Sequence, residues 1–348
     1  MTSRLGAVES RFPSRWWITS LGAISLALVT GLCVGAINIA PTHTLAVLLN
    51  SIPGIQIGEV DATDALIISQ IRFPRVVLTL LVGSMLATAG CAYQGTFRNP
   101  LADPYFLGVS AGAGLGATTQ IVFLNSAPQW TLPLAAFIGA MGGVLLTYSL
   151  GRSSVTGRSS TSLILAGVAV AALLTAIQTL MCARNSDKVQ QVYSWILGRL
   201  ATAGWNEVLM VAPYVVVCTI ILLKYRRVLD VFAVGDEEAT TLGLDVNKAR
   251  AVIIIAASLG TAAVVSVTGL IGFVGIIVPH TVRLIVGSSY RVVLPLSVAF
   301  GGVFLIFADL IARTALAPEE IPIGVVTALI GAPFFLYILA SRKRGVLS

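Results

Sequence analysis

The sequence predicts an all-α polytopic membrane protein with ten transmembrane helices and both termini in the cytoplasm. Three observations lead to this fold class. The 348 residues are 56% hydrophobic and only 11% charged, whereas a soluble globular chain carries about 25% charged residues. Apolar stretches of about 20 residues, each long enough to cross a bilayer as a helix, recur along the whole chain. The basic residues cluster on one side of the membrane when these stretches are counted in order.

The ten spans follow one another closely, so we predict one integral membrane domain over residues 1–348. The first span follows an arginine-containing N-terminus. A signal peptide is the alternative there, but its apolar region would measure only about 7–15 residues. The seventh and eighth spans are separated only by a glycine-rich turn. The predicted spans are 16–40, 74–96, 106–125, 132–150, 162–182, 206–224, 251–268, 270–287, 292–312 and 321–341.

The distribution of Lys and Arg predicts the topology. With the N-terminus inside, 16 of the 22 basic residues lie on cytoplasmic segments, which supports an even number of spans. The formal charge of +7 therefore reflects topology rather than nucleic-acid binding. The basic residues that fall outside are Arg72, Arg75, Arg184, Lys188, Arg199 and Arg313.

The connection after the second span contains two prolines that interrupt the helix, and a run of small residues follows. Gly108, Gly112 and Gly116 recur every four residues, with Ser110 and Gly114 between them. Small residues at this spacing let membrane helices approach closely. The segment is therefore predicted to pack tightly against another helix or to line a path. On the other side of the membrane, residues 41–71 form the longest predicted external loop.

The longest predicted cytoplasmic connection, residues 225–250, contains a short helix. Asp236 suits its N-cap, Glu237 and Glu238 favour the positive end of the helix dipole, and Gly243 suits its C-terminal cap. Asp245 then suits the N-cap of the next span. So short a helix is unstable alone in water. We expect it to pack on its own protein or on a partner, and a solvated loop is the alternative.

Motifs for chemistry are absent from the sequence. It contains no GxxxxGK[ST] phosphate loop, no HExxH and no Cys/His cluster, and the four cysteines are scattered. His43 and His280 fall on opposite sides of the membrane, so we predict no metal site. In the segment GFVGIIVPHTVR, Pro279 is predicted to break the eighth span near the inner surface. His280 and Arg283 would then lie at the cytoplasmic rim as structural residues.

Ionisable residues in the spans are few, and Asp309 is the clearest. This scarcity weakens an ion-coupled secondary transporter, which usually needs such groups along its path. Asp309 and Arg313 are spaced i, i+4 and could pair on one helix face. The external Arg72, Arg75 and Arg313 have two open interpretations: snorkelling toward lipid phosphate, or docking of an acidic external partner.

Eight segments resemble those of the FecCD-type permeases, which are the membrane subunits of ABC importers for ferric siderophores, haem and cobalamin. The segments occur in family order from about residue 70 to 340: RFPR, RNPLADPYFLGVSAGAGLGA, LILAGVAV, SWILGRL, GDEEATTLG, GLIGFVGIIVPHTVRLIVG, ADLIAR and EEIPIGVVTALIGAPFFLYIL. The first 70 residues contribute one apolar span and no motif. The resemblance therefore covers most of the chain.

The resemblance implies a homodimer of ten-span subunits, two cytoplasmic ABC ATPase subunits and an extracytoplasmic substrate-binding protein. It also implies three sets of site residues. The ATPase-coupling helix would comprise Gly235, Asp236, Glu237, Glu238, Ala239, Thr240, Thr241, Leu242 and Gly243. Docking of the binding protein would involve Arg72, Arg75 and Arg313, and the cytoplasmic gate would involve Asn99, Leu101, Ser160, Thr161 and Ser162.

The predicted function is that of a permease in the bacterial cytoplasmic membrane, with a ferric siderophore as the first candidate cargo. Haem and cobalamin are the alternatives within the family, and an ion-coupled secondary transporter is the alternative from another class. The chain would not itself be an enzyme. ATP and Mg²⁺ would be bound by the ATPase partners, with no cofactor or metal in this chain and no nucleic-acid partner.

Overall fold

The protein is described by a computed structural model that covers residues 14–35, 37, 39–51, 54, 57, 60–124, 127–152 and 160–344. Within these ranges the regular elements are helical and no strand occurs, as the sequence predicts for an all-α protein. The predicted cytoplasmic ends of the chain, residues 1–13 and 345–348, lie outside the described residues.

The helices are numbered here in chain order. They are α1 (Ser14–Cys33), α2 (Pro41–Asn50), α3 (Ala62–Leu66), α4 (Phe73–Phe97), α5 (Val109–Phe123), α6 (Thr131–Arg152), α7 (Ser160–Arg184), α8 (Val189–Ile196), α9 (Trp205–Lys224), α10 (Arg226–Phe232), α11 (Asp236–Thr241), α12 (Val246–Thr268), α13 (Val274–Val286), α14 (Tyr290–Thr314) and α15 (Ile323–Arg344).

Each of the ten predicted spans coincides with an apolar helix. Within the described part of the chain, seven helices are long and apolar enough to cross a membrane. Three shorter apolar helices, α5, α13 and α15, account for the other predicted spans. At a rise of about 1.5 Å per residue, the 13 residues of α13 fall short of a hydrocarbon core of about 30 Å. Helix α13 alone is therefore shorter than the predicted span 270–287 requires.

The connection between the first two predicted spans is more helical than the sequence predicts. The predicted span 16–40 ends early, because α1 stops at Cys33, and α2 starts at Pro41 in the predicted loop. The second span begins sooner than residue 74: α3, a π-helical segment Ile67–Arg72 and α4 form one continuous helix over residues 62–97. Asp61 caps its start by accepting a hydrogen bond from the Thr63 N–H at 3.1 Å.

Helix α4 is the central element of the bundle, packed by α9, α12, α13 and α14 and mostly buried. Glycines let two of these neighbours touch its backbone. A Cβ atom on Gly83 would lie 2.3 Å from the Gly301 carbonyl oxygen of α14, and one on Gly90 would lie 2.1 Å from the Gly275 oxygen of α13. No larger residue fits at these contacts without moving a helix.

The glycine-rich helix α5 packs along α6 through a similar seam. A Cβ atom on Gly112 would lie 2.2 Å from the Gly139 carbonyl oxygen, and one on Gly116 would lie 2.1 Å from that of Ala135. The close packing predicted from the small-residue spacing is confirmed for this face of α5. The opposite face, with Ser110 and Gly114, lines a groove beside α7.

Candidate functional site

The connection predicted to contain a cytoplasmic coupling helix folds into α10 and α11, which contact each other. The predicted N-cap of α11 is wrong, because the cap is Gly235 and Asp236 is the first helical residue. The Asp236 carboxylate instead accepts two hydrogen bonds from Arg250 Nη2, each at 2.9 Å, and lies 3.7 Å from Arg98 Nη2. Asp236 therefore ties α11 to the start of α12 and the end of α4.

The other two predicted caps are confirmed. Gly243 follows α11 with a φ of +82°, and its N–H donates to the Thr240 carbonyl at 2.9 Å. The Leu244 N–H donates to the Ala239 carbonyl at 3.1 Å, which completes a Schellman motif. Asp245 then caps α12 by accepting from the Lys248 N–H at 3.0 Å.

Helix α11 has a fixed inner side and an exposed outer side. Ala239 on its inner side is fully buried, and the Arg250 guanidinium lies 5.5 Å from the centre of the buried Phe232 ring. On the outer side Glu237 and Glu238 are exposed, and Leu242 exposes 71% of its surface. An exposed acidic and apolar face on a helix too short to be stable alone suits contact with another protein.

At the opposite end of the bundle, two arginines satisfy the last carbonyl groups of α1. Arg72 Nη1 donates to the carbonyls of Leu32 at 2.8 Å and Cys33 at 3.0 Å, and Nη2 donates to that of Ile37. Arg313 Nη2 donates to the Gly31 carbonyl at 2.5 Å. The last carbonyls of a helix lack partners and carry partial negative charge, so two cations stabilise this end of α1.

Arg75 lies at the centre of a charge cluster with the buried Asp309 and Arg313 and the exposed Glu320. Its Nη2 lies 2.7 Å from Asp309 Oδ1, and its Nη1 lies 2.8 Å from Glu320 Oε1. Asp309 Oδ2 also lies 3.7 Å from Arg313 Nε, which confirms the predicted i, i+4 pair. The cluster joins α4 and α14 to the segment before α15.

The burial of Arg72, Arg75 and Arg313 bears on their predicted roles. Each exposes only 6% of its surface. Snorkelling to lipid phosphate is therefore wrong, because the guanidinium groups bind carbonyls and carboxylates of this chain. Docking of an external acid would require an exchange of partners. Glu320 is the partner that an external acid could replace, because its side chain is 38% exposed while it binds Arg75.

The predicted gate residues lie in two connections. Asn99 and Leu101 follow α4, where Asn99 Oδ1 accepts a hydrogen bond from the Leu101 N–H at 3.0 Å and shapes a tight turn. Ser162 is buried near the start of α7. The side chains of Ser160 and Thr161, and the preceding residues 153–159, lie outside the described residues. The gate assignment stays a prediction.

A groove runs beside the exposed face of α7, between α5 and α8, with a volume of about 390 Å³. Its wall combines small and polar side chains with the apolar Val192, Ile196 and Leu270. A Cβ atom on Gly114 would lie 2.9 Å from Gln178 Oε1. The polar residues that line it are Ser110, Thr175, Gln178, Thr179, Cys182 and Tyr193.

The predicted break at Pro279 is wrong, because α13 continues through it to Val286. Proline has no N–H, so the Gly275 carbonyl lacks its helical donor. The side chain of Gln94 replaces that donor, since its Nε2 lies 2.9 Å from the Gly275 oxygen. Gln94 has no local sequence signal, and only the presence of Pro279 indicates that some donor is required.

His280 belongs to the packing of α13, where its ring meets Phe334 edge-on at 6.0 Å between centroids. Within the described residues, no three His, Cys, Asp or Glu side chains are grouped so that they could hold a metal ion.

Comparison with known proteins identifies the family. Residues 23–341 match the model of the FecCD transport family. The chain belongs to the FecCD transport family. The resemblance found in the sequence is thereby confirmed, and the chain is a multi-span membrane permease of an ABC importer family.

Several relatives of this FecCD permease are similar over most of their length. It is 40% identical over 337 residues to the cobalamin import system permease protein BtuC of Halobacterium salinarum, with 93% of this chain and 90% of the relative covered. It is 35% identical over 328 residues to the Fe(3+)-citrate import system permease protein YfmE of Bacillus subtilis, with 94% and 95% covered.

A solved structure is also similar to this FecCD permease. It is described as an inward-facing conformation of a putative metal-chelate type ABC transporter. The TM-score is 0.82 at 28% identity, with 95% of this chain and 100% of the other covered.

Proposed function

We propose that this chain is the membrane-spanning subunit of a binding-protein-dependent ABC importer that moves an iron chelate, first a ferric siderophore, into the cytoplasm. The match to the FecCD family over residues 23–341 carries the proposal. Cobalamin is the second candidate cargo, favoured by the 40% identity to a cobalamin import permease. Haem is the third, since the chain is 36% identical to a hemin transport permease of Yersinia pestis.

The proposed assembly is a homodimer with two ABC ATPases on the cytoplasmic face and a binding protein outside. Each subunit would cross the bacterial cytoplasmic membrane ten times with both termini inside, as the positions of 16 of the 22 basic residues favour. The ATPases would bind ATP and Mg²⁺. The exposed face of α7, with its polar groove, is the proposed half of a path completed by the second subunit.

In the proposed cycle, a loaded binding protein docks outside and ATP closes the ATPases. Their motion displaces α11 and the adjoining α10, and the bundle exchanges outward and inward access. The gate would be formed by Asn99 and Leu101 together with Ser160, Thr161 and Ser162.

The first test is uptake by cells with and without the gene. Iron as a labelled siderophore, labelled haem and labelled cobalamin are offered in parallel. Loss of one uptake activity names the cargo. Uptake that is abolished by an ionophore but independent of an ATPase would instead favour an ion-coupled secondary transporter.

The coupling role of α11 predicts the effect of Glu237→Arg. Placing a cation on the proposed ATPase contact should lower co-purification of the ATPase by about tenfold, or about 1.4 kcal/mol. Asp187→Arg is the matched control, because it makes the same charge change far from α11. Asp187 follows the C-terminal end of α7 and has a 75% exposed side chain. Equal recovery of the ATPase with both variants would argue against the coupling surface.

The docking role of the outer arginines predicts the effect of Glu320→Gln. This variant would free the exposed edge of Arg75 for an acidic partner. The binding protein should then bind about fivefold more tightly at low salt, or about 1 kcal/mol. Glu319→Gln removes the same charge from the adjacent exposed residue and is the control. An unchanged Kd for Glu320→Gln would remove Arg75 from the docking site.

A further inference from the structure

A chain of polar contacts connects α10 to the interior of the bundle through Gln94 and Arg283. Its inner end is the carbonyl of Gly275, which Pro279 leaves without a helical donor. Gln94 is 1% exposed and donates to that carbonyl at 2.9 Å. At the same level the backbones of α4 and α13 touch, since a Cβ on Gly90 would lie 2.1 Å from the Gly275 oxygen. Gln94 thus holds the point where these two helices meet.

Arg283 carries the chain of contacts outward. Its Nη1 donates to Gln94 Oε1 at 2.6 Å. Its Nη2 lies 3.3 Å from the Tyr290 hydroxyl, and its guanidinium lies 5.3 Å from the Tyr290 ring centre. A single arginine therefore joins α13, α4 and the first residue of α14. The amide of Gln94 is used at both ends, because its oxygen accepts from Arg283 while its nitrogen donates to Gly275.

The outer end of the chain of contacts is Asp230 on α10. Its Oδ1 accepts from the Tyr290 N–H at 2.6 Å, and its Oδ2 accepts from the Ser289 hydroxyl at 3.1 Å. Arg291 Nε lies 3.3 Å from the same carboxylate. Helix α10 contacts α11 directly, and its Leu229 and Phe232 are fully buried. A displacement of α11 therefore acts directly on α10, as well as on α12 and α4 through Asp236.

Simple packing does not require this arrangement. An alanine at position 279 would restore the helical hydrogen bond of Gly275, and apolar side chains could then hold α4 against α13. Buried polar and ionic groups add little net stability compared with apolar residues of similar volume. In membrane spans such groups are costly and mark functional positions.

We propose that Gln94 and Arg283 are positioning residues that transmit the displacement of α10 and α11 to the contact between α4 and α13. Asp230, Tyr290, Arg283, Gln94 and Gly275 together are named the relay. The inference rests on the proposed function, because it takes the driving motion from an ATPase bound at α11. A polar relay can transmit motion because its bonds have direction, whereas apolar contacts can slide.

Three variants separate transmission from packing. Gln94→Glu keeps an acceptor for Arg283 but cannot donate to the Gly275 carbonyl while it is ionised. Gln94→Met removes both bonds. Pro279→Ala supplies a backbone N–H to Gly275, which competes with Gln94 while repairing the helix. Pro213→Ala, in the interior of α9 and outside the relay, is the matched proline control.

The experiment uses the permease with its ATPase and binding protein, reconstituted in liposomes. Labelled ferric siderophore, haem and cobalamin are each offered, and uptake and ATP hydrolysis are measured together with the thermal midpoint. Gln94→Glu, Gln94→Met and Pro279→Ala should each lower uptake per ATP by about tenfold, which is a typical size for coupling between sites. Pro279→Ala should bind the ATPase normally and keep or raise the thermal midpoint. The control Pro213→Ala should do the same, but with normal uptake.

The outcomes distinguish failure of the relay from failure of the proposed function. If Pro279→Ala and both Gln94 variants transport with the wild-type yield per ATP, the relay serves packing only and the inference is overturned. If wild-type permease binds no ATPase and shows no ATP-driven uptake of any of the three probes, the proposed function fails, and the relay fails with it.

Discussion

Asp309→Asn is expected to be among the most destabilising single substitutions in this permease. Asp309 is 2% exposed and is the carboxylate shared by Arg75 and Arg313. Neutralising it leaves two buried guanidinium groups with only the partly exposed Glu320 as a counter-charge. Removal of one partner from a buried ion pair costs about 3–5 kcal/mol. We expect a markedly lower thermal midpoint for the purified protein in detergent, measured by size-exclusion recovery after heating.

Glu320→Gln is the matched control for Asp309→Asn. It also removes one carboxylate charge from Arg75, but at a side chain that is 38% exposed. Exposed pairs contribute about 0–1 kcal/mol. The two thermal midpoints should therefore differ clearly. Equal shifts would mean that the burial of Asp309 has no energetic consequence and that the cluster does not hold α4 against α14.

Gly139→Ala is expected to open the seam between α5 and α6. The added methyl group would lie 2.2 Å from the Gly112 carbonyl oxygen, which belongs to backbone and cannot rotate away. The two helices must separate, and α5, which also forms one wall of the polar groove, must move with them. Overpacking of this kind typically costs about 1–3 kcal/mol. The measurements are the thermal midpoint and the yield of monodisperse protein.

Gly142→Ala provides the comparison within the same helix. A Cβ at Gly142 meets no atom within 4 Å, so the identical change adds a methyl group to open space. We expect a yield and thermal midpoint close to those of wild type. If Gly142→Ala were as damaging as Gly139→Ala, the effect would come from the loss of glycine itself and not from the seam.

Much of the fold could be predicted from the sequence, because a membrane limits the secondary structures that can span it. A bilayer requires apolar helices of known length, so every predicted span coincides with a helix. The glycine spacing of α5 and the caps Gly243 and Asp245 are local signals, and the structure bears them out. The helical start of the second span at Ala62 is not indicated by hydropathy, because Thr63, Asp64 and Arg72 interrupt the apolar pattern there.

The candidate sites were less predictable, since their partners are distant in sequence. The Asp309–Arg313 pair follows from helical spacing. The bond between Arg75 and Asp309 joins residues 234 positions apart, which no local pattern predicts. The sequence favours Asp236 as a cap because acids commonly cap helices, yet its carboxylate binds Arg250 instead. Gln94 could not be found at all, because the requirement for its amide arises at Pro279 on another helix.

The central position of α4 has a consequence for biosynthesis. Its Arg75 leaves the ribosome 234 residues before Asp309 does. At about 5–20 residues per second, the interval is of order 10–50 s. Gln94 likewise precedes its partner Gly275 by 181 residues, so both buried side chains lack their final partners for most of this interval. Until then the two side chains require water or other polar groups, and the helix at the centre of the bundle gains its contacts with α13 and α14 only after those helices are made.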